Sequence, residues 1–492
     1  CTANAMSSFH RGERICRITN RRLDYYFSQR DRLDPDLRMW LDRAEDYISS
    51  TLGPISDFAS SIQDMLRVTS GATATTPRSS SLPFQKLGRR VSCTPNCAPY
   101  FRAATKYFGY AVPKPKYVHW NRVELVPKSW KTHRTIACEP AGNVPFQLAF
   151  DAYAKDRLRE MRSIDLSSQA ENQRHAKYGS ETGLLATIDL SMASDTLSLR
   201  AVEWLLPIPW LNYLSDIRCS FYRLNGKTHR YAKFSSMGNG ATFALETLIF
   251  ASLLYAVGSK RGIAYGDDLT IETELAPNLY RLLKFLGFVP NVDKSYTDGP
   301  FRESCGKDYY LGQDITPFYI RSTAPWDKPL ACHNVNGLVK VSPHGTLWSY
   351  LRNFITENKL PLCPVSYDSM AGVHIHPHHS YSRGLIRNWH KKRGDRIQAS
   401  KVYIRKNVTV ECEDSRSLFL WYLRKANLEA ANPHVIAPIR GCPRGPERET
   451  QVVSTSGYSA SSHKYVRKWV AWQMPSTGGM EELFGFSDFI AA

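Results

Sequence analysis

The sequence predicts an α+β fold, and three observations carry that prediction. The middle third alternates short apolar runs with helix-like stretches: Leu184 to Leu190, then Ala241 to Val257, then two short runs around Gly266-Asp267, then an amphipathic stretch over Asn278 to Leu286. Mixed succession of this kind marks strands and helices sharing one core. The segment IAYGDDLTIET sets a Gly-Asp pair between two short apolar runs, which is the pattern of a hairpin turn. Hydrophobic residues at 42% and aromatics at 12% of 492 residues supply a large core. That composition excludes a disordered chain, and equally a collagen-like, mucin-like or disulfide-scaffold protein. The length suits roughly two to four domains of ~100–200 residues each.

The elements follow in chain order. The opening CTANAMSSFHRGERICR has no apolar stretch of the kind a signal peptide needs. Asp36 to Leu52 carries apolar residues at helical spacing. Thr69 to Pro83 is small, polar and Pro-containing, and reads as a surface loop. The 11 cysteines are odd in number and scattered, so without an export signal they read as reduced thiols. Cys93 and Cys97 form a lone C-x3-C with no matching second pair, and ordinary thiols in a loop are the simpler reading than zinc. Pro113 to Pro145 is basic and punctuated by Pro, the pattern of strands and loops.

Leu184 to Leu190 is rich in strand formers and reads as a strand ending on Asp189. Ser194 and Asp195 are good helix-capping residues ahead of the next apolar stretch. Gly238-Asn239-Gly240 precedes Ala241 to Val257, which Glu246 interrupts. A spanning helix needs about 20 apolar residues, so this stretch reads as a buried core helix and no membrane partner is expected. Beyond about residue 330 the pattern loosens. Arg383 to Lys406 is dense in Lys and Arg, with Asp395 its only acid. Val373 to His379 is His-rich, but Pro377 breaks its regularity and a polar loop is the better reading than a metal site.

The formal net charge is +19 and the pI near 9.4, which points to an acidic partner: nucleic acid, nucleotides or an anionic surface. The excess is uneven. Residues 1–180 hold 28 basic and 17 acidic side chains, residues 181–330 hold 15 and 16, and residues 331–492 hold 21 and 12. Basic flanks therefore enclose a nearly neutral centre, and that centre holds three carboxylates in telling positions. Asp189 ends a strand, while Asp267 and Asp268 sit at the candidate hairpin turn. If those strands are neighbours, the carboxylates converge and repel unless a cation neutralises them. Hard divalent ions prefer such oxygen ligands and keep positions open for phosphate and water. Two of them about 3.5–4 Å apart can stabilise both oxygens of an in-line phosphoryl displacement.

The surroundings sharpen this. A basic block K-S-W-K-T-H-R (128–134), then D-L-S-M-A-S-D (189–195), then S-M-G-N-G (236–240), then Y-G-D-D (265–268), then Lys294 occur in that order. Together with GPFRESCGKDYYLGQDITPFYIR, these segments resemble the replicase catalytic (beta) subunit of the single-stranded RNA bacteriophages, the levivirus family, from about residue 126 to 321. The resemblance implies an RNA-directed RNA polymerase with a right-hand architecture. Its palm would be an antiparallel sheet backed by helices. Residues 1–180 would be mainly fingers and N-terminal region, 181–330 palm with a fingers insert at about 200–232, and 331–492 thumb and C-terminal region.

The resemblance also assigns residues. Asp189 and Asp267 match metal-binding aspartates, with Asp268 a supporting third, and the metal would be two Mg²⁺ ions, for which Mn²⁺ can substitute. Asp195 matches the position that recognises the incoming ribose, helped by Asn239 and Ser236; leaving such polar groups unpaired penalises a deoxynucleotide. Gly238 belongs to a loop that tracks template and nascent pair. Lys128, Lys131 and Arg134 fit the basic motif that holds the triphosphate. Lys294 matches a candidate general acid for the pyrophosphate leaving group. Glu246 matches a Glu of the motif, but its apolar surroundings suit a buried structural group equally well. Implied partners are RNA template and product, ribonucleoside triphosphates, host elongation factors Tu and Ts and a ribosomal small-subunit RNA-binding protein, in the cytoplasm of a bacterial host. Chains would start without a primer.

Two alternatives are separable. A reverse transcriptase also carries a Y-x-D-D hairpin, but it usually needs a bulky aromatic where Asp195 stands. A non-catalytic RNA-binding phage protein matches the basicity and leaves the ordered carboxylates without a purpose.

Overall fold

The structure, a computed structural model, describes residues 2–78, 86, 90–107, 114–128, 133–320, 327–341, 347–363, 368–374, 389–392, 395–406, 408–412, 449–453 and 464–471. The chain divides into two compact units. One is Cys1–Thr316 with Glu411–Glu449, and the other is Pro317–Val410 with Thr450–Ala492.

At the centre of the first unit lies a three-stranded antiparallel sheet. Its middle strand, Asp268–Glu272, pairs with Leu185–Ile188 on one side and Ile263–Tyr265 on the other. Leu185–Ile188 is buried throughout, which explains why its sequence shows no apolar–polar alternation: a strand covered on both faces has no solvent side to alternate with. The helix Thr242–Ala256 packs beneath. Thirteen of its 15 residues are buried, as a helix apolar all round must be. Leu245, Leu248, Ile249, Phe250, Leu253 and Leu254 are each no more than 1% exposed, and burying side chains of this size is worth roughly 1.5–3 kcal/mol apiece. Helices Pro35–Leu52 and Val144–Arg162 pack against it. The first of these is capped by Asp34, whose side chain accepts from the amides of Asp36 and Leu37, with Pro35 in the first turn.

Besides a short pairing of Ser92–Cys93 with Lys116–Tyr117, two larger sheets belong to the same unit. Strands His133–Cys138, Trp120–Pro127, Phe221–Leu224 and Lys227–Arg230 form one, in that spatial order. Its second and third strands run parallel and are far apart in sequence, so the segment at 200–232 divides in two. Its hairpin joins the sheet of residues 120–138, while helices Leu199–Leu205 and Ile208–Ile217 send Trp204, Leu205, Trp210 and Leu214 into the main core. Residues either side of 180 likewise share that core, Phe150 and Leu158 with Ile188 and Leu248. The third sheet is the meander Phe301–Ser304, Lys307–Tyr310 and Gln313–Asp314. The fully buried Arg302 fastens it to the outer strand Leu185–Ile188 of the central sheet, donating to the carbonyls of Leu185, Gly299 and Phe301 at 2.7–2.8 Å.

The second unit is built around helices Lys328–Val341 and Trp348–Glu357, with Cys332, Val335, Ile355 and Val373 in a small core. Strand Asp395–Lys406 pairs antiparallel with Trp389–Lys392 and with Lys464–Ala471. Of the His-rich run, His374 closes a short strand, its amide donating to Asn336 at 2.7 Å, while residues 375–379 lie outside the described residues. Among the described residues no helix is long and apolar enough to cross a membrane.

Candidate active site

Antiparallel register builds the carboxylate cluster. Ile188 faces Leu269 and Tyr265 faces Asp268, so Asp189 leaves the sheet beside Asp268, and the two-residue turn Gly266-Asp267 closes over the same edge. Gly266 has φ +60°, as the first central position of a type II′ hairpin requires. Its amide donates to Thr247 Oγ1 at 3.0 Å, which ties the turn to the buried helix.

Asp189 and Asp268 both feel the charge of Asp267. Burial pushes the Asp189 carboxyl above the usual range, Asp267 pushes it further, and Asn291, Lys294 and Lys128 pull it back. Burial also raises Asp268, with Asp267 and Asp189 adding repulsion and Cys305 opposing it. Among the described residues no three His, Cys, Asp or Glu side chains converge tightly enough for a closed metal cage. Mg²⁺ does not demand one, since it usually keeps several waters and takes one or two carboxylates plus substrate phosphates. An oxygen-only donor set of mutually repelling acids on an edge fits such an ion.

Cations face this edge. Lys128 lies below its usual pKa because of partial burial and the neighbouring charges of Arg134 and Lys294, while Asp267 and Asp189 draw it back. Lys128 and Arg134 come from the end of strand Trp120–Pro127 and from strand His133–Cys138, and Lys294 from the turn Val292–Lys294. The structure thus brings together Asp189, Asp267, Asp268, Lys128, Arg134 and Lys294. Lys131 lies outside the described residues.

Asp195 differs from its expected capping role. It sits inside the short helix Ala193–Thr196, which follows Met192 at φ +58°, and Ser198 is the residue that caps the next helix, accepting from the Ala201 amide. The physical reason is a sharp left-handed turn at Met192 that starts a separate helical turn before the apolar stretch begins. The Asp195 carboxylate is instead paired with Lys233, Nζ to Oδ1 2.6 Å, and Lys233 is 1% exposed.

The loop after it is held, not loose. Asn239 Oδ1 accepts from the Ala241 amide at 2.9 Å, and the Ser236 carbonyl accepts from Thr242 Oγ1 at 2.9 Å. Gly238 has φ +104°, and a Cβ there would stand 2.4 Å from the Ala137 carbonyl oxygen and 2.7 Å from Ile136 Cγ2. Its glycine is required by close packing against the strand His133–Cys138. Glu246 lies under the cluster, its pKa well above the ordinary value through burial and the charges of Asp267 and Asp195, with Oε2 lacking a hydrogen-bond partner. Tyr265 packs edge-on against Phe243, ring centroids 5.2 Å apart.

Sequence reasoning missed several contributors. Asn291 Nδ2 donates to Asp189 Oδ2 at 2.6 Å, and Ser295 Oγ accepts from the Asp189 amide at 3.2 Å. Asn172 Nδ2 donates to the Asp268 carbonyl at 3.0 Å. Asn291 and Ser295 flank Lys294 in NVDKSY, so attention to the neighbours of that Lys would have found them. Nothing in the pattern marks Asn172 or Lys233.

Comparison with known proteins places these residues in context. The family model for RNA replicase, beta-chain, matches residues 1–330. The RNA-directed RNA polymerase subunit beta of Escherichia virus Qbeta is 39% identical over 352 residues, covering 68% of this chain and 58% of that protein. The corresponding subunit of Enterobacteria phage SP is 38% identical over 343 residues, covering 67% and 58%. The RNA-directed RNA polymerase beta chain of Escherichia phage MS2 is 37% identical over 292 residues, covering 56% and 53%. The chain therefore aligns with little more than half the length of these relatives.

Proposed function

The chain belongs to the RNA replicase beta-chain family, and we propose that it synthesises RNA on an RNA template from ribonucleoside triphosphates, replicating a single-stranded RNA phage genome. The observation that carries this reading is the meeting of Asp189 with Asp267 and Asp268 on one sheet edge, faced by Lys128, Arg134 and Lys294.

In this reading the central sheet and the helix Thr242–Ala256 are the palm, at 181–330. Residues 1–180 and the hairpin of the 200–232 insert are fingers, and residues 331–492 are thumb and C-terminal region. Two Mg²⁺ ions, or Mn²⁺, held by Asp189, Asp267 and Asp268 would lower the pKa of the attacking 3′-hydroxyl and neutralise phosphate charge. Lys128, Lys131 and Arg134 hold the triphosphate, with Arg offering a forked donor and each Lys a point charge. Asp195, Asn239 and Ser236 surround the ribose, and Gly238 lets the backbone approach the nascent pair. Lys294 donates a proton to departing pyrophosphate. It belongs to the same charge cluster as Lys128 and Asp189, which supports that assignment.

Initiation needs no primer. The working partners are host elongation factors Tu and Ts and a ribosomal small-subunit RNA-binding protein, in the cytoplasm of the bacterial host. The test supplies the full chain, with and without those host proteins, with an RNA template, Mg²⁺ and either ribo- or deoxyribonucleoside triphosphates. Ribonucleotide incorporation is expected. Incorporation of deoxyribonucleotides alone, or of neither in any combination, overturns the reading.

A further inference from the structure

Lys233 is a deeply buried cation paired with a residue of the site, and nothing in the reading above employs it. Its side chain is 1% exposed, and its ammonium sits 4.4 Å from the Phe9 ring centroid and 5.4 Å from that of Tyr231. An ammonium removed from water this completely is costly unless paired. Its partner is Asp195, at 2.6 Å, and among the described residues no other cation is hydrogen-bonded to that carboxylate.

The pair is built from three separate pieces of chain. Lys233 is anchored through its backbone: its carbonyl accepts from Arg218 Nη2 at 3.1 Å, and Phe234 donates to the Leu197 carbonyl at 2.7 Å. The N-terminal helix Thr2–Ser28 closes the back. Cys16 Sγ donates to the Asp195 carbonyl at 3.4 Å, and Glu13 Oε2 accepts from the Ala232 amide at 2.8 Å. A Cβ at Gly12 would lie 2.9 Å from the Asp195 carbonyl oxygen, so this helix approaches closer than any larger residue permits. Asp195 is thus fixed on its main chain and on Oδ1, while its side chain keeps 17% exposure.

We propose that Lys233 is a positioning residue: by holding Oδ1 of Asp195 it points the remaining carboxylate oxygen at the sugar of the incoming nucleotide, and so sets discrimination for ribose. Without Lys233 the carboxylate would lose its ion-pair partner and, with it, the fixed orientation of Oδ1. An acceptor that rewards a 2′-hydroxyl must be held in place, because discrimination comes from the penalty of leaving it unpaired with the wrong sugar. The inference rests on the assignment of Asp195 to the ribose.

The test is the ratio of kcat/KM for ribo- over deoxyribonucleoside triphosphates, measured for the wild type, Asp195→Asn, and the series Lys233→Arg, Lys233→Gln and Lys233→Met. Lys233→Met is expected to lower the ratio roughly tenfold or more, chiefly through a raised KM for the ribonucleotide. Lys233→Gln falls between, and Lys233→Arg stays nearest the wild type. In the Asp195→Asn background Lys233→Met should add no further loss of discrimination. A merely structural role would lower melting temperature and active fraction and leave the ratio alone. A ratio unchanged in every folded Lys233 variant, or one that follows side-chain volume and not charge, overturns the proposal. A wild type that incorporates neither sugar overturns the polymerase reading instead, and a wild-type enzyme whose Asp195→Asn variant keeps its ratio overturns the ribose assignment together with this one.

Discussion

Replacing Gly238 with Ala should cost far more than a loop glycine ordinarily does. Two penalties apply. At φ +104° a side chain is strained, at about 1–2 kcal/mol. The new methyl would also meet the Ala137 carbonyl oxygen at 2.4 Å and Ile136 Cγ2 at 2.7 Å, and because the first is strand backbone it cannot swing aside. Forced overpacking of that kind costs roughly 1–3 kcal/mol. The total is about 2–5 kcal/mol. Gly226→Ala serves as the control, since Gly226 has φ +80° and nothing within 4 Å of an added Cβ, so only the conformational penalty remains. At about 2 °C per kcal/mol for a unit of this size, Gly238→Ala should melt ~2–6 °C below Gly226→Ala. Nucleotide incorporation should fall with it, because the loop carries Ser236 and Asn239. Equal melting temperatures for the two variants would refute the close packing of this loop on the strand His133–Cys138.

Two other substitutions test separate parts of the framework. Arg302→Met leaves the carbonyls of Leu185, Gly299 and Phe301 without their donor; at ~1–3 kcal/mol for each buried group left unpaired, loss of at least about 3 kcal/mol is expected in denaturant unfolding. Glu246→Gln probes the buried acid. A carboxyl whose folded pKa is raised contributes stability that is fully present below its unfolded pKa and is lost as pH rises toward the folded value. Without divalent cation, Glu246→Gln should therefore match the wild type near pH 4 and exceed its melting temperature increasingly toward pH 8; a gap that is constant with pH would show that Glu246 does not titrate in this way.

Much of the central sheet and its backing helix was legible because their signals are local. The strand-forming run at 184–190, the Gly-Asp turn and the largely apolar core helix each declare themselves within a few residues, and their neighbours in the sheet follow from one antiparallel register. The N-terminal helix Thr2–Ser28 was not legible. Its buried stripe is Ala5, Phe9, Gly12, Glu13, Cys16, Thr19 and Leu23, mostly small or polar residues in an Arg-rich segment, so it shows no apolar period. Lys233 and Asn291 escaped for a related reason. Their importance lies in contacts across 38 and 102 residues, which no local pattern records. The motifs located the aspartates correctly on the sheet edge but said nothing of what braces them.

The central claim is that the carboxylate edge serves RNA synthesis and not RNA binding. Asp267→Asn tests it most directly, because Asp267 sits in a turn and the change removes one charge at nearly constant volume. The measurement pairs Mg²⁺-dependent ribonucleotide incorporation with RNA affinity at fixed salt, for wild type and variant side by side. Synthesis should fall by several orders of magnitude while RNA affinity stays within about twofold, since the Lys and Arg proposed to meet phosphate are untouched. Full synthesis by Asp267→Asn, or a parallel collapse of RNA binding in a folded variant, would contradict the claim.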